Sequence, residues 1–344
     1  MKILINCSMP FTLAHGGQAI QIMQTMAALA VSGVQVEPLR WWDENQSADL
    51  LHYFGRMPVE QIKLAQKKGM KVVFAEFLTA QGSRTASQLR LQKTINRALA
   101  RIAPRNFIAA FNWDAYRLAD ACIALTPWEA NLMSYLFDAP AERIQVVGNG
   151  IEEIFLNAPK VERKPWLVCT TTLTERKRVL ELAQAAVRAQ TPVWIIGRAY
   201  AETDPYAQQF FALAKQHPQI IRYEGAISDR TQLARIYREA RGFVLLSTME
   251  SLSLSALEAA ACECPLLLSD LPWARSTFEN QATYCPVTKS TVTTANVLRT
   301  FYDAAPTLPL PSKPPTWNEI GRQLKALYEQ VLKTGSKSAT ADPR

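Results

Sequence analysis

No stretch of about 18 apolar residues occurs in the chain, which excludes an ordinary membrane-spanning helix. The N-terminal MKILINCSMP enters an apolar segment at once. It lacks the long apolar stretch and small-residue cleavage site of a signal peptide, so a cytoplasmic protein is expected. There are only three histidines and six cysteines. No two cysteines form a C-x-x-C pair, and no histidine stands near one at metal-ligand spacing, which argues against a metal site. Most of Cys7, Cys122, Cys169, Cys262, Cys264 and Cys285 lie in apolar runs such as WLVCT and are expected to be reduced core residues. After the first apolar run the chain carries HGGQAI and no G-x-G-x-x-G, which disfavours a dinucleotide-dependent dehydrogenase.

What is present is a long series of short apolar runs alternating with helix-period segments. The length of 344 residues points to two domains, and a hydrophobic fraction of 48% suffices for two cores. The runs are KILINC (2–7), VQVEPL (34–39), DLLHYF (49–54), KVVFAEF (71–77), ACIALT (121–126) and IQVVGNG (144–150). Then follow WLVCTT (166–171), VWIIG (193–197), IIRYEG (220–225), GFVLLST (242–248) and PLLLSD (265–270). They are continuous, as strands covered on both faces are. The βαβα order predicts an α/β protein with two Rossmann-like, doubly wound domains, whose ligands sit at the carboxyl ends of the strands in a cleft between them. The polar, proline-bearing stretch 156–166 marks the expected boundary, giving domains 1–160 and 161–312. A last amphipathic helix over 317–333 is expected to pack back on the first domain, followed by a disordered tail, 334–344.

The net charge of +8 suits nucleic acid, an anionic membrane surface or a phosphorylated small ligand. Charge alone is a weak argument for nucleic acid, and none is expected as a partner. Part of the charge is concentrated in 84–105, where Arg84, Arg90, Lys93, Arg97, Arg101 and Arg105 occur without an acidic residue. Leu89, Ile95, Leu99 and Ile102 lie among them. Such a helix either lies on an anionic membrane or is a surface helix with a solvated basic face.

The most informative segment is TMESLSLSALEAAACECPLLLSD (248–270). Glu250 follows an apolar run directly, and Glu258 falls in the helix beyond it. Ser255 to Glu258 reads as a capping box, which would start that helix at Ser255. The unpaired N–H groups of Leu254 to Leu257 would then form an anion site. Taken alone, Glu258 could be only a cap and Glu250 only a solvated turn residue. Their place at the carboxyl end of a late strand favours a ligand instead.

This segment resembles the E-x7-E signature of retaining glycosyltransferases of the GT-B fold, family 4, here read as E-S-L-S-L-S-A-L-E-A-A-A. Four further segments resemble the family in the same order along most of the chain: HGGQAIQIMQTMAALAVSG, VVGNGIEEIF, TTTLTERKRVLELAQA and YEGAISDRTQLARIYREARGFVLLST. The resemblance implies transfer of a sugar from a nucleotide-diphosphate donor to a glycan, lipid or small-molecule acceptor, with no other cofactor and no metal. The first domain would be the acceptor side and the second the nucleotide-sugar side. Glu258 would bind the ribose hydroxyls and Glu250 would lie near the transferred sugar. Lys177 and Arg176 would neutralise the departing diphosphate, and the backbone at Ser253 and Leu254 would contact sugar and phosphate. Gly16 and Gly17 would let backbone approach the diphosphate, and Gly225 and Ala226 would flank the base. Membrane attachment through 84–105 would place the protein on the inner face of a membrane.

The chain departs from the family at several places. Thr172 stands near the usual arginine, Ser251 and Ser253 replace common glycines, and Glu76 stands where many members have histidine. His15 and His52 have no assigned part; His52 ends an apolar run and is expected to be half-buried at a strand end. The departures keep one alternative open: a non-catalytic nucleotide-sugar-binding or scaffold protein on the same fold.

Overall fold

A computed structural model describes residues 1–8, 16–157, 159 and 161–336. The chain divides into two compact units, Met1–Gly150 with Pro315–Arg344, and Ile151–Pro314. The division falls at Gly150, earlier than the polar stretch 156–166. The reason is packing: Ile151 and Phe155 are buried in the core of the second unit. The end of the proline-bearing stretch, Lys164–Trp166, already belongs to the first strand of that unit.

The first unit contains β1 (Lys2–Cys7), β2 (Gln35–Pro38), β3 (Leu50–Phe54), β4 (Lys71–Ala75), β5 (Ala121–Ala124) and β6 (Ile144–Val146). They form one parallel sheet in the order β2-β1-β3-β4-β5-β6. The second unit contains β7 (Lys164–Thr170), β8 (Val193–Ile196), β9 (Ile221–Tyr223), β10 (Ala240–Leu245), β11 (Leu266–Ser269) and β12 (Thr283–Cys285). Its parallel sheet runs β12-β11-β10-β7-β8-β9. Both units are doubly wound α/β sheets. The continuous apolar runs have a simple cause, seen on β10. Phe243 and Leu245 enter the core on one face of the sheet, and Val244 and Leu246 the core on the other.

In the second unit the strand order reverses between β7 and β10. Connections leaving these two neighbours go to opposite faces of the sheet, so their carboxyl ends are left uncovered as a crevice. The loops after β7 and β10 are tied together across it, since the Thr248 N–H donates to the Arg176 carbonyl at 2.8 Å.

The last helix, Trp317–Ser336, belongs to the first unit and extends three residues past the expected end. The rest of the expected tail, 337–344, lies outside the described residues. The helix packs against the helix Gly17–Val31, where a β-carbon on Gly321 would lie 2.6 Å from the Ala28 carbonyl oxygen. Tyr328 also reaches His52, its hydroxyl 2.7 Å from Nδ1. His52 is thus fully buried in the middle of β3, not half-exposed at its end, because β3 is covered by this helix. Burial without a carboxylate partner lowers its pKa to about 3 and keeps the imidazole neutral.

Gly321→Val should lower stability by about 1–3 kcal/mol, because the branch must displace backbone and not a flexible side chain. Urea unfolding followed by tryptophan fluorescence measures this. Unchanged stability would contradict the close helix contact.

Candidate functional site

The carboxyl ends of β7 and β10 gather most of the candidate residues of the second unit. Beyond β10 the chain runs through Ser247 and Glu250 before the helix Leu254–Ala261 begins. Beyond β7 it turns through Thr171 and Thr174 into a short 3-10 turn, Glu175–Lys177. Glu250 is 8% exposed, so it is not a solvated turn residue. Its Oε1 accepts from Lys177 Nζ and, at 3.3 Å, from Arg176 Nη1. Arg176 also donates to the Met249 carbonyl at 2.7 Å. Lys177, Arg176 and Glu250 therefore form one cluster. Thr172, where the resemblance leads one to look for arginine, is half-buried in the same turn, and Arg176 supplies the second cation.

The helix starts at Leu254, one residue earlier than expected, and its N-cap is Ser253. The Ser253 hydroxyl accepts from the Ala256 N–H at 3.4 Å, and its carbonyl from the Leu257 N–H at 3.1 Å. No capping box joins Ser255 and Glu258. The one-residue shift places Glu258 beyond the first turn and aims it elsewhere. The N–H groups pointing out of the helix start are narrowed to those of Leu254 and Ser255, beside the buried Ser253. Positive dipole, two N–H groups and two cations thus surround the segment 250–255.

Glu258 is 6% exposed. Its Oε1 accepts from Arg230 Nη2 at 2.5 Å and its Oε2 from the Tyr237 hydroxyl at 3.2 Å. Burial pushes the Glu258 carboxyl above its ordinary range, and the Arg230 guanidinium opposes this. Arg230 and Tyr237 were not singled out from the sequence. The available signal was their spacing: seven residues apart on the helix Arg230–Glu239, they share a face.

Gly225 and Ala226 follow β9 at the same end of the sheet. Gly225 adopts φ +83, a conformation that favours glycine, and its carbonyl accepts from the Gly197 N–H at 3.0 Å. Gly197 is a further residue that sequence reading missed: a β-carbon there would fall 1.7 Å from the Thr171 carbonyl oxygen. The buried hydroxyls of Thr171, Thr174 and Ser247 have no hydrogen-bond partner among the described residues. They are groups that water or a ligand can satisfy.

The remaining candidates lie in the first unit. Gly16, at φ +141, caps the helix that Gly17 begins, at the carboxyl side of β1. His15 lies outside the described residues. Glu76 follows β4 and accepts from Arg56 Nε at 2.8 Å and from the Tyr116 hydroxyl. Arg56 in turn lies 4.5 Å from the Phe137 ring centroid. Glu76 is thus an ion-paired residue. Among the described residues no three of His, Cys, Asp and Glu cluster as a metal would require.

The Lys177–Glu250 pair is the electrostatic centre of this arrangement. Lys177→Met should cost about 1–3 kcal/mol, and a double-mutant cycle with Glu250→Gln should give a coupling of the same order. A coupling near zero in chemical unfolding would contradict the pairing.

Residues 150–299 match the family model described as glycosyl transferases group 1. No curated protein matches the sequence. Solved structures match over nearly the whole chain at low identity. A glycosyltransferase from Rickettsia africae ESF-5 is 11% identical with TM-score 0.65, over 96% of this chain and 98% of that one. HepE of Anabaena, solved in complex with UDP, is 15% identical with TM-score 0.63, over 98% and 100%. A sucrose-phosphate synthase from Thermosynechococcus elongatus is 17% identical with TM-score 0.62, over 98% of each chain. The two parallel six-stranded sheets are thus the fold of GT-B glycosyltransferases. Residues 150–299 are a glycosyl transferases group 1 domain, and the chain that carries it is a glycosyltransferase.

Proposed function

We propose that the chain is a retaining glycosyltransferase of family 4 that works without a metal and takes a nucleotide-diphosphate sugar at the β7–β10 crevice. The observation that carries this reading is the pair of buried carboxylates, Glu250 and Glu258, on either side of one helix start. Glu258 would accept from the ribose hydroxyls, since a carboxylate accepts well from a vicinal diol. The diphosphate would lie against the N–H groups of Leu254 and Ser255, facing Lys177 and Arg176. Those cations are balanced by Glu250. A diphosphate brings further negative charge, and the cations then stabilise the charge that grows on it as the sugar leaves. Glu250 would accept from sugar hydroxyls or stabilise positive charge at the anomeric carbon. Gly225 and Ala226 would flank the base.

With the acceptor oxygen arriving on the face that the diphosphate leaves, the leaving phosphate oxygen takes the acceptor proton. The protein then supplies position and charge, not a general base. Lys177, Arg176 and the helix dipole do the neutralising work that a cation would otherwise do. UDP is the first nucleotide to test, because HepE of Anabaena was solved with UDP and with UDP-glucose. The acceptor is a glycan, a lipid or a small molecule.

Incubation with UDP-glucose should release UDP, by transfer or slow hydrolysis, at equal rates with and without EDTA. The anomeric configuration of the donor should persist in the product by NMR. Loss of activity on chelation, restored by magnesium or manganese, would contradict metal independence; an inverted product would contradict retention.

A second reading concerns a membrane surface. No described helix is long and apolar enough to cross a membrane. The helix Ala86–Ile102, started by a capping box between Thr85 and Gln88, instead turns an apolar stripe outward. Leu89 packs inward, whereas Leu91, Ile95 and Ile102 are 61%, 48% and 79% exposed. Exposed Arg90, Arg97 and Arg101 run beside that stripe. This pairing of exposed apolar and basic rows suits an anionic membrane better than water alone. The protein would then be cytoplasmic and peripheral. It should float with phosphatidylcholine vesicles containing phosphatidylglycerol and not with phosphatidylcholine alone, and Ile95→Asp should abolish flotation. Indifference to anionic lipid would contradict the membrane role.

A further inference from the structure

We propose that Arg230, with Tyr237 behind it, is a positioning residue for nucleotide binding: it holds the Glu258 carboxylate ionised and oriented so that each oxygen keeps one acceptor site for a vicinal diol. The proposal rests on the reading of Glu258 as the ribose ligand.

An ionised carboxylate has about four acceptor sites, two on each oxygen. In Glu258 one site on Oε1 is taken by Arg230 Nη2 at 2.5 Å, and one on Oε2 by the Tyr237 hydroxyl at 3.2 Å. One site per oxygen is left, which is what two adjacent hydroxyls of a ribose require. The Tyr237 hydroxyl is itself hydrogen-bonded to Thr170 Oγ1 at the end of β7. Thr170 can donate to Tyr237 and Tyr237 to Glu258, a chain in which each bond polarises the next.

Arg230 is held independently of Glu258. Its Nε donates to Glu152 Oε2 at 2.7 Å, and its guanidinium lies 4.7 Å from the Phe155 ring centroid. It occupies the first position of the helix Arg230–Glu239, capped by Asp229. A cation at that end opposes the helix dipole, so helix stability does not account for it there. What it does there is balance two carboxylates, one of them buried.

The groups facing Glu258 come from three elements. Arg230 and Tyr237 come from the helix Arg230–Glu239, Glu152 from the chain before the helix Glu153–Leu156, and Cys262 from the end of its own helix. Burial keeps Tyr237 and Cys262 protonated, the first raised well above its ordinary value and the second to about 12. Glu152 is a like charge. Arg230 is therefore the cation among these groups. Without it, burial and Glu152 both favour the protonated form of Glu258. A protonated Glu258 is a poorer acceptor from a diol. The loss should therefore be greatest at low pH and should recede as pH rises through the raised pKa.

The test is calorimetric titration with UDP from pH 5.5 to 8.5 on the full chain, for the wild type and Arg230→Met, Arg230→Lys, Tyr237→Phe and Glu258→Gln, with melting temperature checked for each. Using the ratio of wild-type to variant affinity cancels the titration of UDP itself. Arg230→Met should bind roughly tenfold or more weakly at the acid end. It should recover towards the wild type at the alkaline end. Arg230→Lys should keep the wild-type pH profile, and Glu258→Gln should be weak at every pH. If Arg230→Met matches the wild type while Glu258→Gln binds weakly, the proposal alone is overturned. If Arg230→Met loses affinity equally at all pH values, Arg230 touches the nucleotide directly and is not a positioning residue. Wild-type affinity in Glu258→Gln would remove the ribose reading and the proposal with it. Should Arg230→Met fail to fold, Arg230→Lys and Tyr237→Phe carry the test: wild-type UDP affinity in Tyr237→Phe, or a displaced pH profile in Arg230→Lys, overturns it.

Discussion

Two carboxylates are buried at the carboxyl edge of a parallel sheet, and the second unit is arranged around the need to keep them charged there. A carboxylate loses most of its hydration on burial and must find a cation or several donors in return. Glu250 finds Lys177 and Arg176, which arrive on the turn after β7. Glu258 finds Arg230 and Tyr237, on the helix that leads into β10. The first pairing joins loops distant in sequence that the β10–β7 adjacency makes neighbours, and the second joins the two helices that flank β10 in the chain. Breaking one pair leaves an uncompensated buried charge, a larger penalty than the pair's own net stabilisation.

The same arrangement supports the proposed diphosphate site. Glu250 and the cations satisfy one another, yet the outward N–H groups of the helix start and the hydroxyls of Thr171, Thr174 and Ser247 have no partner among the described residues. The outward N–H groups and the hydroxyls can all donate to an anionic, oxygen-rich ligand.

Much of this was legible in the sequence because of one regularity. Strands in the middle of a sheet are covered on both faces and almost wholly apolar, and eleven of the twelve strands overlap the apolar runs of the sequence. The missed strand, β12, is Thr283–Cys285 at a sheet edge, too short and too polar to form such a run. Glu250 and Glu258 stand out by their place after a late strand and at the helix that follows it, and Lys177 and Arg176 by the family resemblance. Their partners do not. Arg230 sits in a polar helix start where arginine looks like any solvated residue, and only the fold brings it to Glu258. The helix cap was misjudged by two positions, at Ser255 where Ser253 caps, because both serines fit a capping pattern and tertiary packing chose between them. The domain boundary was misplaced for a related reason. Composition marks where a chain is polar, whereas the boundary lies where Ile151 begins to pack into a different core.

The central claim is that nucleotide and diphosphate bind along the β7–β10 edge between Glu258 and Lys177. A crystal structure of the full chain with UDP tests this most directly. The account predicts both ribose hydroxyls on Glu258, one to each oxygen, and the diphosphate against the Leu254 and Ser255 N–H groups within reach of Lys177. A nucleotide bound elsewhere, or bound here with its ribose turned away from Glu258, would contradict it.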